Sequence, residues 1–188
     1  QMFKSALTHP NVGLLIGISF LATVAFAGLE ATFAMWTKRQ FGWGPEQNGY
    51  IFAFVGVLGV LVQGGLIGRL RRKFGEARLI IQGAAALALG IALIPFSDSL
   101  PLLLVAMSVA GYGFSIISPA LNSLISLQVG EEDQGSTMGV TRSATTLARV
   151  AGPAAAGMLF GFMGMDWPYF FGAALMVVVT IWAIRTRT

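Results

Sequence analysis

A chain of 188 residues with 11% charged residues and a mean hydropathy of +0.75 is too apolar for a soluble domain, in which about a quarter of residues are charged. It has no cysteine and one histidine, His9, which excludes disulfides, thiolate metal sites, cysteine nucleophiles, paired-histidine haem ligation and histidine-dependent triads, so no metal is expected. The net charge of +4 would suit nucleic acid, but five of the twelve basic residues lie in one strip between apolar runs, which fits the cytoplasmic face of a bilayer and no nucleic-acid partner.

A membrane helix needs about 20 mostly apolar residues. Six segments qualify, roughly 12–36, 48–67, 78–96, 101–127, 137–163 and 168–184, which predicts an all-α, multi-pass protein of six transmembrane helices in a lipid bilayer. The first span exceeds a signal-peptide core and lacks a small-residue cleavage site, so it reads as a true membrane helix. It carries Glu30 about 9 Å outward of its midpoint, together with Phe26 and Phe33. An intramembrane carboxylate costs a few kcal/mol on insertion scales. Glu30 therefore reads as a proton carrier or a contact for a cationic group, or as a helix-end carboxylate paired to a base.

The turn "GWGPEQNG" (42–49) leads to the second span, with Phe52, Phe54 and the polar Gln63. The strip "GRLRRKFGEAR" (68–78) follows, holding Arg69, Arg71, Arg72, Lys73 and Arg78, and it reads as a short loop. Beyond the third span and "SDSLP" (97–101), the fourth brings Tyr112, Phe114 and Asn122. Gln63, Tyr112 and Asn122 are each suited to a substrate or to a neighbouring helix, and the aromatics to an apolar pocket or to packing.

After "GEEDQG" (130–135), the fifth span has Arg142 and Arg149 seven residues apart, nearly two turns, on one face with Thr145, Thr146, Gly152 and Pro153. That stripe cannot face lipid. It reads as a cavity wall holding an anion or a carboxylate, or as a structural ion pair. Gly152–Pro153 predicts a kink, because proline removes a backbone donor. Gly13–Gly17, Gly64–Gly68 and Gly157–Gly161 are G-x-x-x-G pairs expected at close helix crossings. "GMDWP" (164–168) opens the sixth span.

With six spans both termini share a side. That side collects Lys4, the five basic residues of the strip, Arg142, Arg185 and Arg187, against Lys38 and Arg39 opposite. The asymmetry predicts cytoplasmic termini in a cell inner membrane.

The strip fits G-x-L-x-x-x-x-G-x-x-R through Gly68, Leu70, Gly75 and Arg78, which resembles the cytoplasmic loop motif of the major facilitator superfamily in its second-half version. The fuller first-half version has an acidic residue where Arg72 stands. "FGWGPEQNGYIFAFVGVLGVLVQGGLIGRL" (41–70) resembles the eighth helix of the drug/proton antiporter branch near the tetracycline-efflux group. "GYGFSIISPALNSLIS" (111–126) resembles its tenth, and "LARVAGP" with Gly157 and Gly161 its eleventh.

The resemblance implies helices seven to twelve of a twelve-helix transporter, one bundle that rocks against an N-terminal six-helix half around a midplane site. It implies no enzyme and no cofactor beyond a proton gradient, and export of a small organic substrate. Uptake of a metabolite, or a non-transporting scaffold, are the alternatives. Gln1 ahead of Met2 suits an excised half, and an isolated half is expected to self-associate through its Arg149 face.

Overall fold

The computed structural model describes residues 10–185, so His9, Lys4 and Arg187 lie outside the described residues. Six long helices follow one another: α1 (Pro10–Phe41), α2 (Pro45–Phe74), α3 (Glu76–Leu93, closed by a 3₁₀ turn at Ile94–Phe96), α4 (Leu100–Leu127), α5 (Glu131–Phe162) and α6 (Trp167–Arg185). No strand occurs among the described residues.

The connections are shorter than the turn signals suggest, because several of their residues enter the helices. Pro45 starts α2, where its missing N–H costs nothing, and the Gly44 N–H donates to Gln47 Oε1 at 3.0 Å. Glu131, Glu132 and Asp133 occupy the first turn of α5, where acidic side chains complement the helix dipole. The basic strip is not a loop: Ile67–Phe74 is helical, and only Gly75, at φ 75° and ψ 163°, breaks the chain before α3. That backbone conformation is open to glycine and strained for other residues.

Within α2, Val62–Leu66 forms one π-helical turn between the α-helical stretches Pro45–Leu61 and Ile67–Phe74. Gln63 lies inside it. Pro119 and Pro153 lie within α4 and α5, and both helices continue through them.

Five of the six helices are long and apolar enough to cross a membrane. The exception is α5, whose acidic first turn, Arg142, Arg149 and threonines lower its hydropathy although its 32 residues give ample length.

Two helix pairs organise the bundle, α1 with α5 and α3 with α4, while α6 bridges α1 and α3. α2 leans on α4 and stays largely uncovered, with 17% of its apolar window buried against 56% for α1.

Both pairs meet backbone to backbone. A methyl on Gly113 would stand 2.5 Å from the Leu87 N and 2.6 Å from the Gly83 O, and one on Gly90 would overlap the Ala110 backbone. In the other pair, a methyl on Gly152 would stand 2.6 Å from the Val24 O. The G-x-x-x-G glycines make no close crossing within this bundle. Gly17, Gly64, Gly68, Gly157 and Gly161 have nothing within 4 Å of an added methyl, because they face outward from this bundle.

The end opposite the basic strip is closed by aromatics. Trp36 is fully buried, donates from Nε1 to Asp166 Oδ1 at 2.8 Å, and meets Tyr169 and Phe41 edge to face. Thr37 donates to Asn48 Oδ1 at 2.8 Å, fastening α2 to α1 at that end.

Gly113→Ala is expected to cost about 1–3 kcal/mol, since backbone must move to admit the methyl. Gly157→Ala is expected to stay within about 0.5 kcal/mol. Thermal unfolding of the two variants in detergent checks the difference.

Candidate functional site

Two cavities open on the face built by α1, α2, α4 and α5; neither is lined by α3 or α6. The first, of about 280 Å³, lies between α1, α4 and α5 in the half nearer the basic strip. Ser19, Thr23, Asn122, Thr141, Arg142, Thr145, Thr146 and Arg149 give it a polar wall. The second, of about 610 Å³, lies between α1, α2 and α4, and holds Glu30 and Gln63 among Phe26, Phe52, Val55, Met107 and Phe114.

Phe114 belongs to both walls. Its ring stacks on Phe26 with centroids 3.9 Å apart and planes 3° from parallel, so an aromatic pair stands between the two spaces.

The chemistry of the first cavity is cationic. Thr23, Thr141, Thr145 and Thr146 donate their hydroxyl hydrogens to carbonyls of their own helices, at 2.7 Å, 2.8 Å, 3.1 Å and 2.8 Å. The donors left facing the space are the guanidinium groups of Arg142 and Arg149, the Asn122 amide and the hydroxyls of Ser19 and Ser118. No carboxylate lines it. Arg149 lies close to the middle of α5 and acts on Glu30 through space, with no direct ion pair between them.

Of the residues singled out in the sequence, Phe26, Glu30, Gln63, Asn122 and Arg149 thus share one open face. Tyr112 does not, and this corrects its assignment to the pathway: its hydroxyl accepts from Gln82 Nε2 at 2.9 Å, in a shallow groove between α3 and α4. One residue along a helix turns the side chain by about 100°, and the neighbour Gly111 is the one that lines the larger cavity. Phe33 is core, packed edge to face on Phe52. Gly152 and Pro153 lie at the α1–α5 crossing, whereas Gly157 and Gly161 lie on the outer side of α5.

The basic strip holds a partner that its positive charge concealed. Glu76, in the first turn of α3, accepts from Arg71 Nε at 2.7 Å and from Ser123 Oγ at 3.2 Å, tying the end of α2 to the end of α4. Arg72 Nε donates back to the Gly68 carbonyl at 3.3 Å, and Arg69, Lys73 and Arg78 are exposed. The signal for Glu76 was its position directly after a helix-breaking glycine, as the one carboxylate in a cationic strip. The π turn around Gln63 had no readable signal beyond the Gly64–Gly65 pair.

Six long helices, five of them apolar enough to cross a membrane, with Glu30, Arg142 and Arg149 turned to one open face, make a multi-pass membrane protein. The chain belongs to the Major Facilitator Superfamily, whose sequence profile matches residues 2–188, a family of transporters and not of enzymes.

Multidrug resistance protein 2 of Bacillus subtilis is 29% identical over 90% of this chain and 42% of its own length. The class C tetracycline resistance protein of Escherichia coli is 28% identical over 94% of this chain and 45% of its own. In three dimensions the human organic anion transporter MFSD10 superposes with a TM-score of 0.84 at 26% identity, over 90% of this chain and 40% of that one. The chain therefore spans less than half the length of these relatives.

Because the native chain has no cysteine, single cysteines report each position cleanly. In membranes, an impermeant maleimide is expected to modify Gln63→Cys in its open cavity at least about tenfold faster than Tyr112→Cys, whose groove is apolar. Equal rates would place both positions in the same surroundings.

Proposed function

We propose that the chain is the second six-helix half of a proton-coupled exporter, which moves small amphipathic organic molecules out of the cell by alternating access against a first half. The observation that carries this reading is Glu30 and Arg149 on one open face, either side of the Phe26–Phe114 pair. A carboxylate that gains or loses a proton there changes the field at Arg149. Proton and substrate then have a physical route by which to compete. A scaffold that transports nothing has no need of two intramembrane charges, each costing a few kcal/mol.

The multidrug and tetracycline resistance proteins among the relatives support drug-like cargo and the export direction. The proton gradient is the sole energy source in this reading, with no cofactor. The face that carries both cavities is where the first half docks, and α2 together with the outer side of α5 meets that half or lipid. An isolated bundle would cover the same face with a second copy, because an uncovered arginine stripe in hydrocarbon is costly.

The basic asymmetry supports an inner-membrane protein with the strip and both termini in the cytoplasm. Lys73→Cys is expected to react with an impermeant reagent in everted vesicles and not in intact cells. Reaction from outside intact cells would reverse the orientation.

In the complete transporter, Glu30→Gln is expected to lower gradient-driven efflux at least about tenfold at near-normal abundance. Glutamine keeps size and hydrogen bonding but exchanges no proton. pH-dependent efflux at the wild-type rate would return Glu30 to a structural role.

A further inference from the structure

We infer that the cavity holding Arg142 and Arg149 is the seat of an anionic group, so that the preferred cargo is an amphipathic organic anion whose flat apolar body lies against Phe26 and Phe114. The inference rests on the proposed transport role and names the class of compound for that same site.

Three observations carry it. The space holds two guanidinium groups and no carboxylate, and its threonine hydrogens are committed to backbone carbonyls, so its charged groups are all cationic, beside the neutral donors of Asn122, Ser19 and Ser118. The two arginines are seven residues apart on one helix, about 10 Å along its axis. Side chains of that length can close from both sides on a single carboxylate, sulfonate or phosphate, in the bidentate geometry that guanidinium favours.

The second observation is depth. Arg149 lies near the middle of α5, and its through-space neighbour Glu30 stands in the other cavity, beyond the aromatic pair, without touching it. One distant carboxylate leaves the Arg142–Arg149 space with excess positive charge. An entering anion neutralises that charge, the more strongly the lower the local dielectric.

The third is the partition. The larger space is walled by Phe52, Val55 and Met107 beside the stacked pair, and its volume of about 610 Å³ falls in the range that takes a small organic body. Phe114, common to both walls, sets the head of such a molecule toward the arginines and its rings toward α2. A cation would be repelled by the two guanidinium groups of the smaller space and would have to turn its charge toward Glu30 in the larger one.

The test is ligand-induced thermal stabilisation of the complete purified transporter in nonionic detergent, with three probes of one shape and different charge: naphthalene-2-carboxylate, naphthalene-2-methanol and naphthalene-2-methylammonium. The carboxylate is expected to bind at least about tenfold more tightly than the alcohol, and the ammonium most weakly. Arg149→Gln and Arg142→Gln should each remove most of the preference for the carboxylate. Arg149→Lys, which keeps the charge and loses the bidentate fork, should retain the preference at reduced affinity. Phe114→Ala should weaken all three probes alike.

Tighter binding of the ammonium, or a carboxylate preference that survives the Arg142→Gln/Arg149→Gln double variant, would overturn the inference. So would a flat probe series with a lower melting temperature for ligand-free Arg149→Gln, because the arginine would then be neutralised by a carboxylate of the first half. The measurement applies no gradient, so an anion preference can fail while proton-driven export stands, and the reverse.

Discussion

The contact on which the site depends is the backbone crossing of α1 and α5, where Gly152 meets Val24 and Gly28 with no side chain between. In a bilayer, apolar helices gain little from hiding from lipid, since lipid is as apolar as they are. Association rests on van der Waals contact and on how closely two backbones can approach. Arg149 lies one turn before Gly152, and Glu30 half a turn beyond Gly28. The crossing that holds the helices together therefore also brings the two charges within electrostatic reach. A larger residue at 152 would separate both the helices and the charges.

The α3–α4 crossing through Gly83, Gly90 and Gly113 is the matching contact on the other side, and it does a different job. It carries no charge near the membrane middle and lines no polar cavity. With α6 laid across α1 and α3, it forms a backing for the open face. At one end this backing is reinforced by the Trp36–Asp166 hydrogen bond, and at the other by Glu76 with Arg71 and Ser123. α3 and α6 serve packing alone, whereas α1 and α4 pack on one side and face the cavities on another.

The number of helices was legible in the sequence, and residues of the open face could be singled out, because a charged or polar side chain inside an apolar run has few physical reasons to exist. Glu30, Gln63, Asn122 and Arg149 could be picked on that ground alone, and all four face one opening. Direction around a helix was harder to read. Nothing in "GYGFSI" tells whether Gly111 or Tyr112 turns inward, because an apolar helix lacks the polar face that fixes rotation in a soluble protein.

Glycine spacing misled for the same reason. G-x-x-x-G defines a smooth strip but not what lies against it, and the glycines that meet another helix's backbone most closely sit at 28, 83, 90, 113 and 152. The strip 68–78 reads as a loop because its charge marks a membrane boundary, whereas a helix leaving the membrane keeps its hydrogen bonds and can carry arginines outward.

The low apolarity of α5 follows from the same division of labour. A helix of 32 residues that fails the apolar measure its five neighbours meet would be a poor membrane span if lipid surrounded it. It is not surrounded by lipid. Thr141, Ala148, Gly152 and Ala156 are buried in the bundle, while Arg142, Thr145, Thr146 and Arg149 line the open cavity. The remaining side presents Leu147, Val150 and Met158. The polar side chains kept from lipid contact are those that line the cavity, so the helix that looks least like a membrane span marks where the bundle keeps its polar space. α2, the least covered of the apolar helices around that opening, answers it from across with Gln63 in a π turn.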